Sequence, residues 1–326
     1  MKRVRRIIRL FVLPLVALWL LAWAILCQPI FPDGEKSAVS VDPEALKKHV
    51  RVISEDFFPR DCLNIGNLDR CSDHIRSEFE KTGARVRVQE YEENGRTYRN
   101  VIARFGRSDD GLLVVGAHYD TCGPLPGADD NASGVAGMIE LAGLLSRAPV
   151  DRNIELVAYS TEEPPFFRST IMGSAVHAKE LRERGIKVRG VVILEMIGCF
   201  RDDWMSQDFP FPLLRLFYPS CGNFIAVVGR LDQWPFMRDL KKGMQGATDL
   251  PVYSINAPST LPSIDFSDHL NYWETGCNAV MVTDTSFYRN HDYHDEGDVW
   301  SRLDYDRMAE VVVAVYEGIK RFPGHE

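Results

Sequence analysis

Five short stretches of this chain are almost continuously apolar: LLVVGA at 112–117, IELVAYS at 154–160, GVVILEMIG at 190–198, FIAVVG at 224–229 and AVMVTD at 279–284. A strand with one wet face alternates apolar and polar residues, whereas a run without alternation is buried on both faces. Helical patterns lie between the runs: ASGVAGMIELAGLLSR, GSAVHAKELRERG and residues 232–247, with LDYDRMAEVVVAVYEGIKRF last. Buried strands alternating with helices predict an α/β fold of three layers, a mixed, mostly parallel central sheet covered by helices on both faces. Upstream, 43–57 reads as an amphipathic helix and 67–81 as a second, with Asn67 as its N-cap. ARVRVQEY, ENGR and TYRNVIARF read as a hairpin. No heptad run and no repeat of 20–50 residues is present, which excludes solenoids and propellers.

The first thirty residues are of another kind. MKRVRR is basic, and Leu10 to Cys27 carries no charge. A basic flank before an apolar run of this length is a membrane anchor or a secretory signal. The run exceeds the usual signal core of about 7–15 residues, which favours an uncleaved anchor. Ala22-Trp23-Ala24 fits a cleavage site, so a cleaved secreted form stands as the alternative. The division expected is a cytoplasmic flank at 1–6, an anchor at 7–27, a linker at 28–42 and a single catalytic domain at 43–326. Residues 200–262, rich in Pro and aromatics, read partly as an insertion near the site. Positive residues stay inside, so the body lies outside the cytoplasm. Five of the 38 basic residues belong to the flank, leaving 33 against 46 acidic residues, a net charge of −13. So acidic a body excludes nucleic acid as a partner. Cys62 and Cys71 are close enough in sequence to pair in an oxidising compartment, or stand as two free thiols. The other cysteines form no CxxC pattern for a thiolate zinc site.

Acidic and imidazole groups gather where the buried runs end. His118-Tyr119-Asp120 closes the first, and Asp129-Asp130-Asn131 follows before the helix at Ala132. Glu162-Glu163 closes the second, Glu195 sits late in the third, and His291 and His294 follow the last. Ligands of open α/β sheets bind at the carboxyl ends of strands. Adjacent buried carboxylates repel each other and lose hydration unless something positive stands between them. No Lys or Arg recurs in this rhythm, so a divalent cation is the simplest compensation, and mixed imidazole and carboxylate donors suit zinc.

The motifs HYD, PGADDNASG, TEE, LEMIG and YHDEGD, in this order, resemble the zinc-dependent aminopeptidase family, to which bacterial leucine aminopeptidases, glutamate carboxypeptidase II and glutaminyl cyclase belong. The resemblance covers about residues 45–320. It implies a zinc exopeptidase fold that hydrolyses N-terminal residues from peptides with a free N-terminus. It implies His118 as ligand of a first metal and Asp120 as the group that orients it. Asp130, not Asp129, is the implied bridge, followed by a cis peptide. Glu162 is the implied general base, and Glu163 and His294 the ligands of a second metal. The remaining first-metal ligand is usually Asp; Glu195 takes its place here, so two zinc ions are implied, or one if the Glu195 site is weak. PPFFRSTIMGS replaces a short Gly-rich link and reads as a pocket wall or a packed turn. Asn131-Ala132-Ser133 fits a glycosylation sequon, but reads as the buried site loop.

Three questions stay open at this level. A glutaminyl cyclase, using one zinc to form N-terminal pyroglutamate, and a non-catalytic binding ectodomain are the competing functions. Asp268 and His269 read either as a supporting pair or as a helix start with its cap. Tyr288 and Tyr293 are candidates for substrate contact.

Overall fold

The structure is a computed structural model that describes residues 8–31, 35–106 and 111–323. The basic flank at 1–6 lies outside the described residues. Strands β1 (Arg85–Glu93) and β2 (Arg96–Phe105) form the expected hairpin. Its two turn residues, Asn94 and Gly95, both hold positive φ, at 52° and 72°, the geometry that matches the twist of a tight hairpin. β3 (Leu112–His118), β4 (Asn153–Tyr159), β5 (Val188–Leu194), β6 (Ile225–Arg230), β7 (Val252–Ala257) and β8 (Ala279–Thr283) complete one eight-stranded sheet in the order β1-β2-β4-β3-β5-β8-β6-β7. β4, β3, β5 and β8 run parallel, so their carboxyl ends share one edge. β2 meets β4, and β6 meets β8, antiparallel. The expected mixed, mostly parallel sheet is observed.

β3 shows why its sequence does not alternate. Leu113, Val115 and Ala117 enter the apolar cluster on one face, and Leu112 and Val114 the cluster on the other. The first face is covered by helices Pro43–Arg51, Ile65–Lys81, Gly134–Arg147, Trp234–Met244 and Tyr305–Lys320. The second is covered by Gly173–Glu183 and His269–Glu274. With the apolar Leu13–Cys27 as α1, these helices are α2 to α8 in chain order. The helix expected from Asn67 starts earlier, at Ile65. Asn67 lies inside it and donates to the carbonyls of Phe58 and Pro59. Within 200–262, β6, α6 (Trp234–Met244) and β7 belong to the sheet and its cover, while 200–224 and 258–262 are loops and short turns. Cys62 and Cys71 are both buried free thiols.

Residues Leu10–Cys27 form a helix long and apolar enough to cross a membrane, and almost all of it is exposed. Only its carboxyl end docks on the sheet edge. The last carbonyls of a helix have no partner within it. Here the Cys27 carbonyl accepts from the Lys241 ammonium at 2.7 Å and the Ser254 hydroxyl at 2.8 Å, and the Leu26 carbonyl from Asn256 at 3.1 Å. Burial brings the Lys241 ammonium down to about 8.

Candidate metal centre

The strand order builds the site. β3 lies between β4 and β5, so His118 at its end has the loop after β4 on one side and the residue after β5 on the other. Nε2 of His118 stands 3.3 Å from Asp130 Oδ1, 3.4 Å from Glu195 Oε2 and 3.9 Å from Glu162 Oε2. His294, from the loop after β8, places Nε2 at 3.2 Å from both Asp130 Oδ2 and Glu163 Oε2. Asp130 therefore faces one imidazole with each of its oxygens. Asp120 faces His118 Nδ1 at 3.5 Å and accepts the backbone N–H groups of Glu162 and Glu163 at 3.2 and 3.1 Å. All seven residues singled out from the sequence are thus brought to one place. His291 is exposed and stands apart.

The donor set fits metal ions. Two imidazoles and four carboxylates converge here, and ligating atoms of His118, Asp130 and Glu195, and of His118, Glu162 and Glu163, lie within 4.8 Å of one another. Nε2 of His294 makes no properly angled hydrogen bond although two carboxylate oxygens stand 3.2 Å away. Atoms so arranged face a common space rather than each other. The charge balance points the same way. Burial pushes Glu162 well above the carboxylate range, against the pull of His118 and with the repulsion of Glu163 and Glu195. Burial and the Asp130 charge push Glu163 up to about 8. Burial opposes the charging of His294, yet Asp130 and Glu163 raise it to about 10. Burial disfavours the charged form of Asp130 too, but the two imidazoles hold it below its usual range. Carboxylates stripped of water this way call for cations.

The loop from His118 to Asn131 is held from behind. The peptide bond after Asp130 is cis, as the resemblance implies. Asn131 is buried, donates to the Leu194 carbonyl, and accepts from the N–H groups of Gly134 and Met196. The sequon is thus part of the buried loop. Asp129 turns away, accepting from Gly198 N–H and the Asn290 amide at 2.9 Å each. Gly127 has φ 53°, and a Cβ there would lie 2.2 Å from the Asp130 carbonyl oxygen, so glycine is required.

Sequence reasoning missed several supports. Arg60 is wholly buried and donates to the carbonyls of Tyr119, Pro126 and Gly127. It is a cation behind the loop that no sequence rhythm announced. Asp298 accepts the N–H groups of Asp129 and Asp130; it is the last residue of YHDEGD and was legible there. Ser267 donates to Glu195 at 2.6 Å. Asp268 precedes α7 (His269–Glu274) but makes no capping bond. Its buried oxygens have no hydrogen-bond partner, and burial, with Glu195 and Asp120 adding repulsion against the pull of His118, pushes it up to about 7. Its neighbour His269 is structural, bonded to the Ile264 carbonyl and edge-on to Trp273. The segment after Glu163 divides: Pro164 and Phe167 line the cavity, while Phe166 packs on Tyr98.

A cavity of about 240 Å³ opens on the cluster, and Asp130, Glu162, Glu163, Glu195 and His294 line it. Its remaining wall is largely apolar and includes Phe209, Tyr218, Phe224, Tyr253 and Phe266. Tyr293 stacks on His294 at 3.8 Å, and Tyr288 bonds Ser263. Among the described residues no Lys or Arg lines the cavity.

Against this geometry the sequence profile of peptidase family M28 matches residues 100–318. The chain belongs to peptidase family M28. The resemblance drawn from the five motifs is borne out, and the chain is a peptidase by family. Uncharacterized protein YfbL of Escherichia coli (strain K12) is 44% identical over 314 residues, 94% of this chain and 96% of that protein. The M28 chain also shares its fold with the Legionella pneumophila LapA aminopeptidase, at TM-score 0.67 and 20% identity over 88% of this chain and 71% of that one. A Bacteroides thetaiotaomicron glutaminyl cyclase aligns at TM-score 0.66 and 17% identity over 88% and 99%. These two likenesses concern the fold.

Proposed function

We propose that this M28 chain is a zinc-dependent aminopeptidase, with residues 43–326 as one catalytic domain held outside the cytoplasm by its N-terminal helix. The observation that carries the reading is Asp130, one oxygen 3.3 Å from His118 and the other 3.2 Å from His294. That is a carboxylate shared between two donor sets. His118, Asp130 and Glu195 would hold one zinc ion, and Asp130, Glu163 and His294 a second. Bound zinc supplies Lewis acidity toward the scissile carbonyl and lowers the pKa of water. Glu162 is buried beside the cluster with no metal to hold in this scheme. It takes the proton of the attacking water and passes it to the leaving amine. Asp120 keeps the His118 ring and the backbone of Glu162 and Glu163 in register.

The cavity supports a free amino end as the recognised group. It is lined by carboxylates and apolar side chains and, among the described residues, offers no Arg or Lys to a substrate carboxylate. A glutaminyl cyclase remains the competing reading. Glu195 counts against it, because the longer side chain still reaches 3.4 Å from His118 and completes the first donor set. The test is metal content per chain on the full protein, with release of free amino acids from a peptide panel, for the native chain and Glu162→Gln. Two zinc ions, released residues, and a loss of about 100-fold or more in the variant with its metal retained are expected. One zinc with pyroglutamate formation from N-terminal Gln would replace this reading with the cyclase. Unchanged turnover in the variant would remove Glu162 from its role.

A further inference from the structure

Exposed apolar side chains outside the apolar segment Leu10–Cys27 are unevenly placed. Among the described residues eleven large ones are exposed, and five of these fall between 204 and 216: Trp204, Met205, Phe211, Leu213 and Leu216. Leu213 is 71% and Leu216 61% exposed. Both sit in a single tight helical turn, Pro212–Leu216, that buries none of its residues. An exposed apolar cluster of this kind marks a surface that meets something apolar.

The occupant is indicated by what stands beside the turn. Phe217, its next residue, stacks on Trp19 of α1 with ring centres 6.0 Å apart, and its carbonyl meets the Cys27 thiol at 3.9 Å. Trp19 and Cys27 are eight residues apart, about 12 Å along a helix axis. Phe217, the residue that closes the turn, therefore lies against the last turns of α1. The apolar segment Leu10–Cys27 has 18 residues. At about 1.5 Å each it is about 27 Å long, no more than a hydrocarbon core of about 30 Å requires. No length is left over to lift the turn that carries Trp19 above the lipid; Cys27, whose carbonyl meets the Lys241 ammonium and the Ser254 hydroxyl, lies at the lipid surface, and what stacks on Trp19 is in the lipid. The one cation of the turn, Arg215, is neutralised by Asp208 at 2.9 Å and lies over the Phe209 ring. Trp234, where the chain leaves the helix, is partly exposed and accepts from Gln28 through its carbonyl, as befits an aromatic residue at a membrane interface.

We infer that residues 209–217 are embedded in the bilayer beside α1, so that the catalytic domain is seated on the membrane and not tethered above it. This rests on the reading of Leu10–Cys27 as a membrane span. One consequence is internal to the enzyme: Phe209, Pro210 and Tyr218, which flank the embedded turn, form a wall of the catalytic cavity. Bilayer and cavity then share one loop.

The test is photolabelling of the full chain in phospholipid vesicles that contain a lipid with a diazirine in its acyl chain, with adducts mapped by peptide mass spectrometry. Leu63 is the internal control. It is 68% exposed, but its neighbour Cys62 accepts from Tyr98 on β2, near the sheet edge away from α1. Adducts on 10–27 and on 209–217, each about tenfold or more above the Leu63 peptide, are expected from partition of large apolar side chains into hydrocarbon. Adducts on 10–27 with 209–217 at the Leu63 level would overturn the seating and leave the anchor intact. Labelling of neither segment would overturn the anchor reading and the seating with it.

Discussion

Asp120 shows how much one side chain holds in place. Its carboxylate accepts two N–H groups from the strand-end loop after β4 while facing the ring of His118. Asp120→Asn keeps the shape but can present an amide N–H to those donors. Partners that orient a metal-binding histidine are worth about 10–100-fold in metal affinity or activity. The variant is expected to lose zinc affinity in that range, with its melting temperature in saturating zinc little changed; titration against a competing chelator checks it. Unchanged affinity would mean that His118 needs no orienting partner. The importance of Asp120 was legible in the HYD motif. Arg60 was not, because its acceptors are all backbone carbonyls, those of Tyr119, Pro126 and Gly127 distant in sequence. A backbone acceptor leaves no trace in residue type.

At the scale of elements, the helix layer covering the first face has little slack. Gly243 on α6 and Gly318 on α8 (Tyr305–Lys320) let the two helices touch backbone to backbone. A Cβ on Gly243 would lie 2.7 Å from Gly318 Cα and 2.9 Å from the Glu317 carbonyl oxygen. Backbone cannot rotate away as a side chain can, so Gly243→Ala forces the helices apart. Overpacking of this kind costs about 1–3 kcal/mol. Thermal or denaturant unfolding is expected to show that loss, while metal content, set at the carboxyl edge of the sheet, stays at the native value. The elements themselves were readable from periodicity and from continuous apolar runs. β7 escaped because VYSINA is short and lies in the Pro- and aromatic-rich stretch, so it read as part of a partial insertion.

For the whole molecule, the charge cluster sets the terms of stability. His118, Asp130, Glu162, Glu163 and Glu195 are buried together, and among the described residues no Lys or Arg lines the adjoining cavity. Cations that bind the folded chain and not the unfolded one stabilise it by mass action, about 4 kcal/mol at a thousandfold excess over the dissociation constant. Chelation of the full protein is expected to lower the melting temperature by several degrees, and zinc to restore it. A melting temperature indifferent to both would mean that no ion is held by this cluster.

The apolar runs by themselves determined the buried strands and the alternation with helices, and so the α/β class. The motifs at the run ends determined which histidines and carboxylates to watch. Both are local, because burial leaves its mark on the periodicity of the residues buried. Only the tertiary structure decided that β3 lies between β4 and β5 and that β8 lies beside β5, which brings His118 and His294 to the two oxygens of Asp130. It also decided that Arg60 and Asp298 brace the loop from behind and that Phe217 lies against Trp19. These depend on which distant segments pair. Strand pairing runs through backbone hydrogen bonds that every residue type but proline can make, so the order of the sheet is written in no single stretch of the chain.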